Sequence, residues 1–241
     1  MKKLQPRHDP AVVLNGVLYM IRIFFGNPGC GKTTCMIRNM KKMQKYPKTL
    51  HYKLCNLPVL SLLFKPKYPM FDDYYTNFDS NLSRHISLKD LGKWTLEPST
   101  YLCVDESGIE YNSRKYKSLP QETIAWYKLY RHYEVDIIDF VSQSWEDMDV
   151  TIRRLANELW MLTRLGPFTL VRRIYKWTGI DKETRQLTDM YKFGSFLRRL
   201  LPPPFHRKDW YIVFRPFHYK HFNSFERYYL PTYDEWKNMH T

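Results

Sequence analysis

The chain has 241 residues, with 38 Lys+Arg against 24 Asp+Glu and a formal net charge of +14. That length buries a core without disulfide or metal staples. A composition 44% apolar and 17% aromatic, with only 9 glycines, excludes disordered, collagen-like and linker classes. No apolar run approaches the ~20 residues that cross a bilayer; the longest, Ala11 to Ile21, ends at Arg22 and lacks the features of a secretory signal.

Residues 1–16 read as a loose start with scattered charge and two prolines. Val17 to Phe25 (VLYMIRIFF) is a short apolar run rich in β-formers and is expected to be a buried strand. Gly26 to Lys32 breaks it, and Thr33 to Lys45 follows with Met36, Met40 and Met43 spaced for one helical face. Strand, glycine-rich turn and helix open an α/β unit. Thr49 to Leu54 is read as a second strand, and residues 59–95 carry no clear pattern. Thr100 to Val104 is an apolar strand ending in Asp105-Glu106; Gln121 to His132 reads as a helix after Pro120; Ile137 to Val141 is a strand ending in Ser142-Gln143. A helix over Asp147 to Glu158 and strands over Leu159–Leu165, Thr169–Trp177 and Trp210–Arg215 complete the expectation. Leu201 to Phe205 (LPPPF) reads as a boundary. The expected organisation is an N-terminal segment 1–16, a domain 17–200 and a basic, aromatic C-terminal extension 201–241.

The turn Gly26-Asn27-Pro28-Gly29-Cys30-Gly31-Lys32-Thr33 fits G-x-x-x-x-G-K-[ST] at every position. Its glycines let backbone N–H groups surround phosphate oxygens, and the helix beginning at Thr33 aims its positive end at the same point. Lys32 supplies a point charge to the β- and γ-phosphates; the Thr33 hydroxyl is a ligand for Mg²⁺, and Thr34 follows it in the same turn. Asp105, at the end of its strand, is read as holding Mg²⁺ through water, and Glu106 as orienting or deprotonating the attacking water. A small-molecule kinase has no need of that second acid, so the pair favours an NTP hydrolase. Gln143 is the candidate sensor of the γ-phosphate. Arg153 and Arg154 are candidates for an arginine acting on a neighbouring subunit's nucleotide, with Arg131 as a further one.

The four cysteines, Cys30, Cys35, Cys55 and Cys103, fit neither a zinc pattern nor a disulfide framework, so a reduced compartment is expected. The positive charge is uneven: residues 151–241 hold 17 Lys+Arg against 8 Asp+Glu. An anionic partner, single-stranded DNA or a membrane surface, is one reading of that excess, and plain solubility is the other. Trp210, Phe214, Phe217, Tyr219 and Phe222 among the arginines suit either stacking on DNA or ordinary packing of a β-rich segment.

In order, GNPGCGKT, Cys55-Asn56-Leu57-Pro58, YLCVDE, Arg131-His132-Tyr133-Glu134-Val135-Asp136, IIDFVSQ and DVTIRRL (Asp149 to Leu155) resemble the Zot (zonula occludens toxin) domain, shared with filamentous-phage assembly ATPases. The aromatic stretch Tyr219 to Glu226 extends the likeness, which covers residues 17–230. The resemblance implies a P-loop NTPase with a RecA-like, mostly parallel sheet of the additional-strand type. It also implies ATP and Mg²⁺ as ligands and a ring homo-oligomer, a hexamer, with an arginine acting between subunits. Its implied role is virion assembly and extrusion at the host inner membrane, together with phage export proteins. Many relatives continue into a transmembrane helix that this sequence does not show; the expectation is a peripheral, cytoplasmic chain, with a separate membrane-anchored partner or a spanning segment outside the given sequence as the alternatives. A DNA translocase, packaging or helicase-type ATPase, and a nucleotide-gated scaffold with little turnover, remain as alternatives.

Overall fold

The computed structural model describes residues 12–14, 17–57, 70–88, 91, 93, 96–107, 121–180, 187–195 and 209–222. The expected boundary at Leu201–Phe205 and the end of the aromatic stretch, Asn223 to Glu226, lie outside the described residues.

The described strands form one ten-stranded sheet. They are β1 (Val12–Leu14), β2 (Val17–Phe25), β3 (Asp73–Thr76), β4 (Arg84–His85), β5 (Thr100–Val104), β6 (Val135–Ser142), β7 (Glu158–Leu165), β8 (Phe168–Ile180), β9 (Leu187–Phe193) and β10 (Trp210–Phe214). Along the sheet the order is β10-β8-β7-β2-β6-β5-β3-β4, with β1 paired to β2 and β9 to β8. Along the path from β7 to β4 each strand is parallel to the next, whereas β1 joins β2, and β8 joins β7, β9 and β10, antiparallel. The expected α/β fold with a mostly parallel sheet is therefore present. β6 stands between β2, which carries the glycine-rich turn, and β5, which carries Asp105-Glu106, so this is the additional-strand arrangement.

Alternation along the central strands feeds two cores, one on each face. Tyr19, Ile21 and Ile23 of β2, Leu102 and Val104 of β5, and Ile138 and Phe140 of β6 point to one face. There they meet Trp126 and Tyr127 of α3 (Gln121–Leu129) and Ile152 of α4 (Val150–Leu155). Met20 and Phe24, Tyr101 and Cys103, and Ile137 and Val141 point to the other, under α1 (Lys32–Lys45). The methionine stripe of α1 is the face it buries: Met36 and Met40 are fully enclosed. Parallel strands buried on both faces read as continuous apolar runs, which is why VLYMIRIFF and IIDFV were legible.

Three expectations need correction. Thr49 to Leu54 is not a strand: Leu50–Cys55 form helix α2, whose N-cap Thr49 accepts a hydrogen bond from Tyr52 N at 3.4 Å. The run is too short for alternation and helical spacing to differ, and the capping threonine decides it. The helix expected over Asp147 to Glu158 is only α4. Asp149 caps its start by accepting from Thr151 N at 2.7 Å, and Ala156 is already extended. Asn157 then exchanges bonds with Ile21 at 2.8 Å in both directions, which feeds Glu158 into the sheet. The third correction is at the N-terminus, where Val12–Leu14, inside the segment read as a loose start, form β1 against β2.

Candidate functional site

The carboxyl ends of β2, β5 and β6 lie side by side, and the residues at those ends define the site. After β2 the chain enters the loop Gly26 to Lys32. Gly29 and Gly31 adopt φ of +71° and +89°, backbone that side chains other than glycine rarely tolerate. A Cβ on Gly31 would also lie 2.6 Å from both Arg215 Cδ and Thr169 Oγ1, and one on Gly26 would lie 2.4 Å from the Leu162 carbonyl oxygen. The loop is thus held on its outer side by β7, β8 and the segment after β10. Thr169 donates to the Cys30 carbonyl at 2.5 Å, and the buried Arg215 donates to the carbonyls of Gly29 at 2.9 Å and of Gly166. Lys32 is buried, its ammonium donating to Gly26 O at 3.0 Å and Asn27 O at 3.4 Å.

Thr33, the next residue, donates its hydroxyl to Asp105 Oδ2 at 2.5 Å. Burial pushes the Asp105 carboxyl above its usual range, and the bonds from Thr33 and from the Glu106 N–H pull against it. Asn77 of the β3–β4 connection pins the same residue from both sides: its Nδ2 donates to Asp105 O at 2.9 Å, and its Oδ1 accepts from Asp105 N at 2.7 Å. This clamp supports the turn in which Glu106 takes φ +49°, an uncommon conformation for a side-chain-bearing residue. Just past the end of β6, Gln143 Nε2 donates to Glu106 Oε2 at 3.2 Å. Asp105 and Thr33 form a hydroxyl–carboxylate donor pair facing the loop. That is the small oxygen set by which Mg²⁺ is held when phosphates and water complete its shell.

These groups open on a cleft of 710 Å³ lined by Pro28, Gly29, Gly31, Lys32, Thr33, Thr34, Glu106, Gln143, Arg215, Tyr219 and Phe222. Arg153 and Arg154 are not in it. The Arg153 guanidinium sits 5.6 Å from the Trp145 ring centroid, and Arg154 is exposed on α4. Arg131 lies over Tyr130, 5.6 Å from the ring centroid. Sequence reasoning missed the contributions of Asn77, Thr169 and Arg215. None sits in a recognisable pattern, and each acts through a bond to a residue distant in sequence.

Beneath the site, the centre of the sheet holds a buried charged group. Arg22 of β2 forms a bidentate pair with Asp139 of β6, both bonds at 2.6 Å, and Tyr101 of β5 donates to the same carboxylate at 2.5 Å. Burial alone would lower the Arg22 pKa; the charge and bonds of Asp139 outweigh it and keep the guanidinium ionised.

Among solved structures the chain is similar to the N-terminal domain of zonular occludens toxin from Neisseria meningitidis. Identity is 17%, coverage is 76% of this chain and 98% of that one, and the TM-score is 0.46. It is also similar to the genome packaging NTPase B204 from Sulfolobus turreted icosahedral virus 2, at 13% identity, 70% and 96% coverage, and a TM-score of 0.35. Curated proteins gave no match. The Zonular occludens toxin (Zot) profile matches residues 20–193, which takes in the phosphate loop, the acidic pair, Gln143 and α4 and stops before Arg215. With that span covering most of its length, the chain belongs to the Zot family of P-loop NTPases.

Proposed function

We propose that this chain binds and hydrolyses ATP as a motor for filamentous phage or prophage virion assembly and export at the inner membrane of the host. One observation carries the ATPase half: the phosphate loop, Thr33, Glu106 and Gln143 line a single cleft, with the buried Asp105 bonded to Thr33 behind it. Family membership supports the assembly half. In this reading the loop N–H groups and Lys32 bind the β- and γ-phosphates. Thr33 and Asp105 hold Mg²⁺, which supplies charge neutralisation at the phosphates. Glu106 accepts a proton from the attacking water, and Gln143, bonded to Glu106, reports whether a γ-phosphate is present. Arg153 or Arg154 acts on the neighbouring subunit of a hexameric ring. Among the described residues no helix is long and apolar enough to cross a membrane, so attachment at the membrane surface belongs to the proposal.

The test is steady-state ATP turnover alone, with anionic liposomes and with single-stranded DNA. Lys32→Ala should abolish turnover and weaken nucleotide binding. Glu106→Gln should bind ATP normally and lose about 10²–10⁴-fold in turnover; near-normal hydrolysis by that variant sinks the water-activating role. Turnover driven by DNA with no response to lipid would favour the translocase reading, for which the excess positive charge is the supporting observation. Tight ATP binding with no turnover under any condition would favour the scaffold.

A further inference from the structure

The cleft has more wall than phosphates, metal and water use. Lys32, Thr33, Glu106 and Gln143 lie on the phosphate loop, at the start of α1 and just past the ends of β5 and β6. Tyr219 and Phe222, which line the same cleft, come from a different part of the chain, the 3₁₀ segment Arg215–His221 and the residue after it. Both lie beyond residue 193, where the family match ends. Phosphate chemistry gives no reason for two aromatic rings beside a phosphate loop.

The segment that brings them there is tied at both ends. Pro216 stands in its first turn, where a ring-fixed φ suits a tight helix. At its start Arg215 donates to the carbonyl of Gly29 in the phosphate loop at 2.9 Å. At its end Asn81 N donates to the His221 carbonyl at 3.3 Å, and Phe222 forms a bridge with Ser80. Ser80 and Asn81 belong to the β3–β4 connection, the same connection whose Asn77 clamps Asp105. Between these ties the segment packs on α1. The Phe222 ring packs against the apolar core beneath α1, and the Tyr219 ring meets it edge-on, with centroids 6.5 Å apart and planes at 70°. Tyr219 is thus held by a fixed neighbour yet stays 49% exposed.

We infer that Tyr219, braced by Phe222, is the platform on which the purine ring of the bound nucleoside triphosphate stacks. The inference rests on the proposed function and extends it from the phosphates to the base. The cleft volume of 710 Å³ lies within the ~300–1,000 Å³ of pockets that enclose small ligands. An apolar side chain from a partner would use the rings alone, and a free phosphate would use the loop alone. A ligand that joins phosphates to a planar heterocycle uses both at once. Among the other described lining groups, Arg215 is committed to loop carbonyls and Thr34 is buried, so Tyr219 is the exposed group left to meet a base. An aromatic side chain offers the face of a heterocycle a stacking partner, a contact that alanine substitution typically weakens by about tenfold or more.

The test is isothermal titration of the full chain with Mg·ATP and, separately, with Mg·tripolyphosphate, which carries the phosphates without the base. The wild type should bind ATP more tightly than tripolyphosphate. Tyr219→Ala should weaken ATP about tenfold and leave tripolyphosphate unchanged, a split that general damage to the fold would not produce. Tyr219→Phe, which keeps the ring and loses the hydroxyl, should retain the wild-type affinity for ATP. Unaltered ATP affinity in Tyr219→Ala overturns the inference. So does an equal loss for both ligands, or a loss in Tyr219→Phe as large as in Tyr219→Ala. Failure of the ATPase reading is separable. A wild type that shows the ATP-specific split but never hydrolyses ATP loses the enzymatic proposal and keeps the base platform, whereas one that binds neither ligand loses both.

Discussion

At the scale of single residues, Arg215 joins the phosphate loop to the far edge of the sheet. Its guanidinium donates to the carbonyls of Gly29 and Gly166, and its Nε donates to Pro167 O at 3.4 Å. Truncation leaves these carbonyls without their charged donor, and hydrogen bonds to charged groups contribute about 1.5–3 kcal/mol each. Arg215→Ala should lower thermal stability by about 2 kcal/mol and raise the KM for ATP, while Arg215→Lys, with its single ammonium, restores little. Thermal denaturation and steady-state kinetics on both variants check this; a wild-type KM in Arg215→Ala removes the loop-holding role. A second residue, Asp136, makes a pH prediction. It is buried at the start of β6, and burial, then the charges of Glu134 and Asp72, push its carboxyl up to about 7. In the unfolded chain the same carboxyl titrates near 3.9, so between the two values the folded state holds the extra proton. Its contribution to stability is full below the lower value and is lost as pH rises through about 7. Melting temperatures measured across that window should fall with rising pH in the wild type, and Asp136→Asn should flatten the profile.

The loop is the element on which the site depends, and its glycines separate two kinds of constraint. Gly166, in the β7–β8 turn, has φ +56° but open space where a Cβ would go. Gly26 has ordinary backbone angles but a carbonyl oxygen 2.4 Å from that position. Gly166→Ala should therefore cost only the left-handed strain of about 1–2 kcal/mol. Gly26→Ala must displace β7 from β2, and should destabilise more and abolish ATP binding as well. Urea denaturation of the pair decides it, and equal effects would mean that the β2–β7 contact is looser than the geometry indicates. The same comparison shows how much of an element can be read in advance. The spacing of Gly26, Gly31 and Lys32 is local and announces the loop. The opposing strand that makes Gly26 obligatory is not local, and nothing near Gly26 encodes it.

For the whole molecule, the question is what completes the cleft. Arg153 and Arg154 lie on α4, outside the residues that line the cleft of their own chain. If either acts on a neighbour, two inactive proteins should rescue one another. Subunits with Lys32→Ala keep their arginines but lose the phosphate site, and subunits with Arg153→Ala and Arg154→Ala keep the site but lose the arginines. Mixing them should restore turnover in proportion to mixed interfaces, and a mixture as inactive as its components removes the arginines from catalysis.

The sequence by itself determined the parts whose information lies within a few residues. These are the phosphate loop between strand and helix, the acidic pair at the end of an apolar run, the buried methionine face of α1 and the family. It misread Thr49 to Leu54, where capping by one threonine outweighed a pattern too short to have a period. Only the tertiary structure decided which strand ends stand together. Placing β6 between β2 and β5 brings Gln143 within 3.2 Å of Glu106 across a sequence separation of 37. Pairing β10 with β8 carries Arg215 to Gly29 across a separation of 186. It also lays the 3₁₀ segment along α1. Spacing along a chain records local hydrogen bonding and burial. The order of strands in a sheet depends on the packing of both faces at once, and no single stretch of residues contains it.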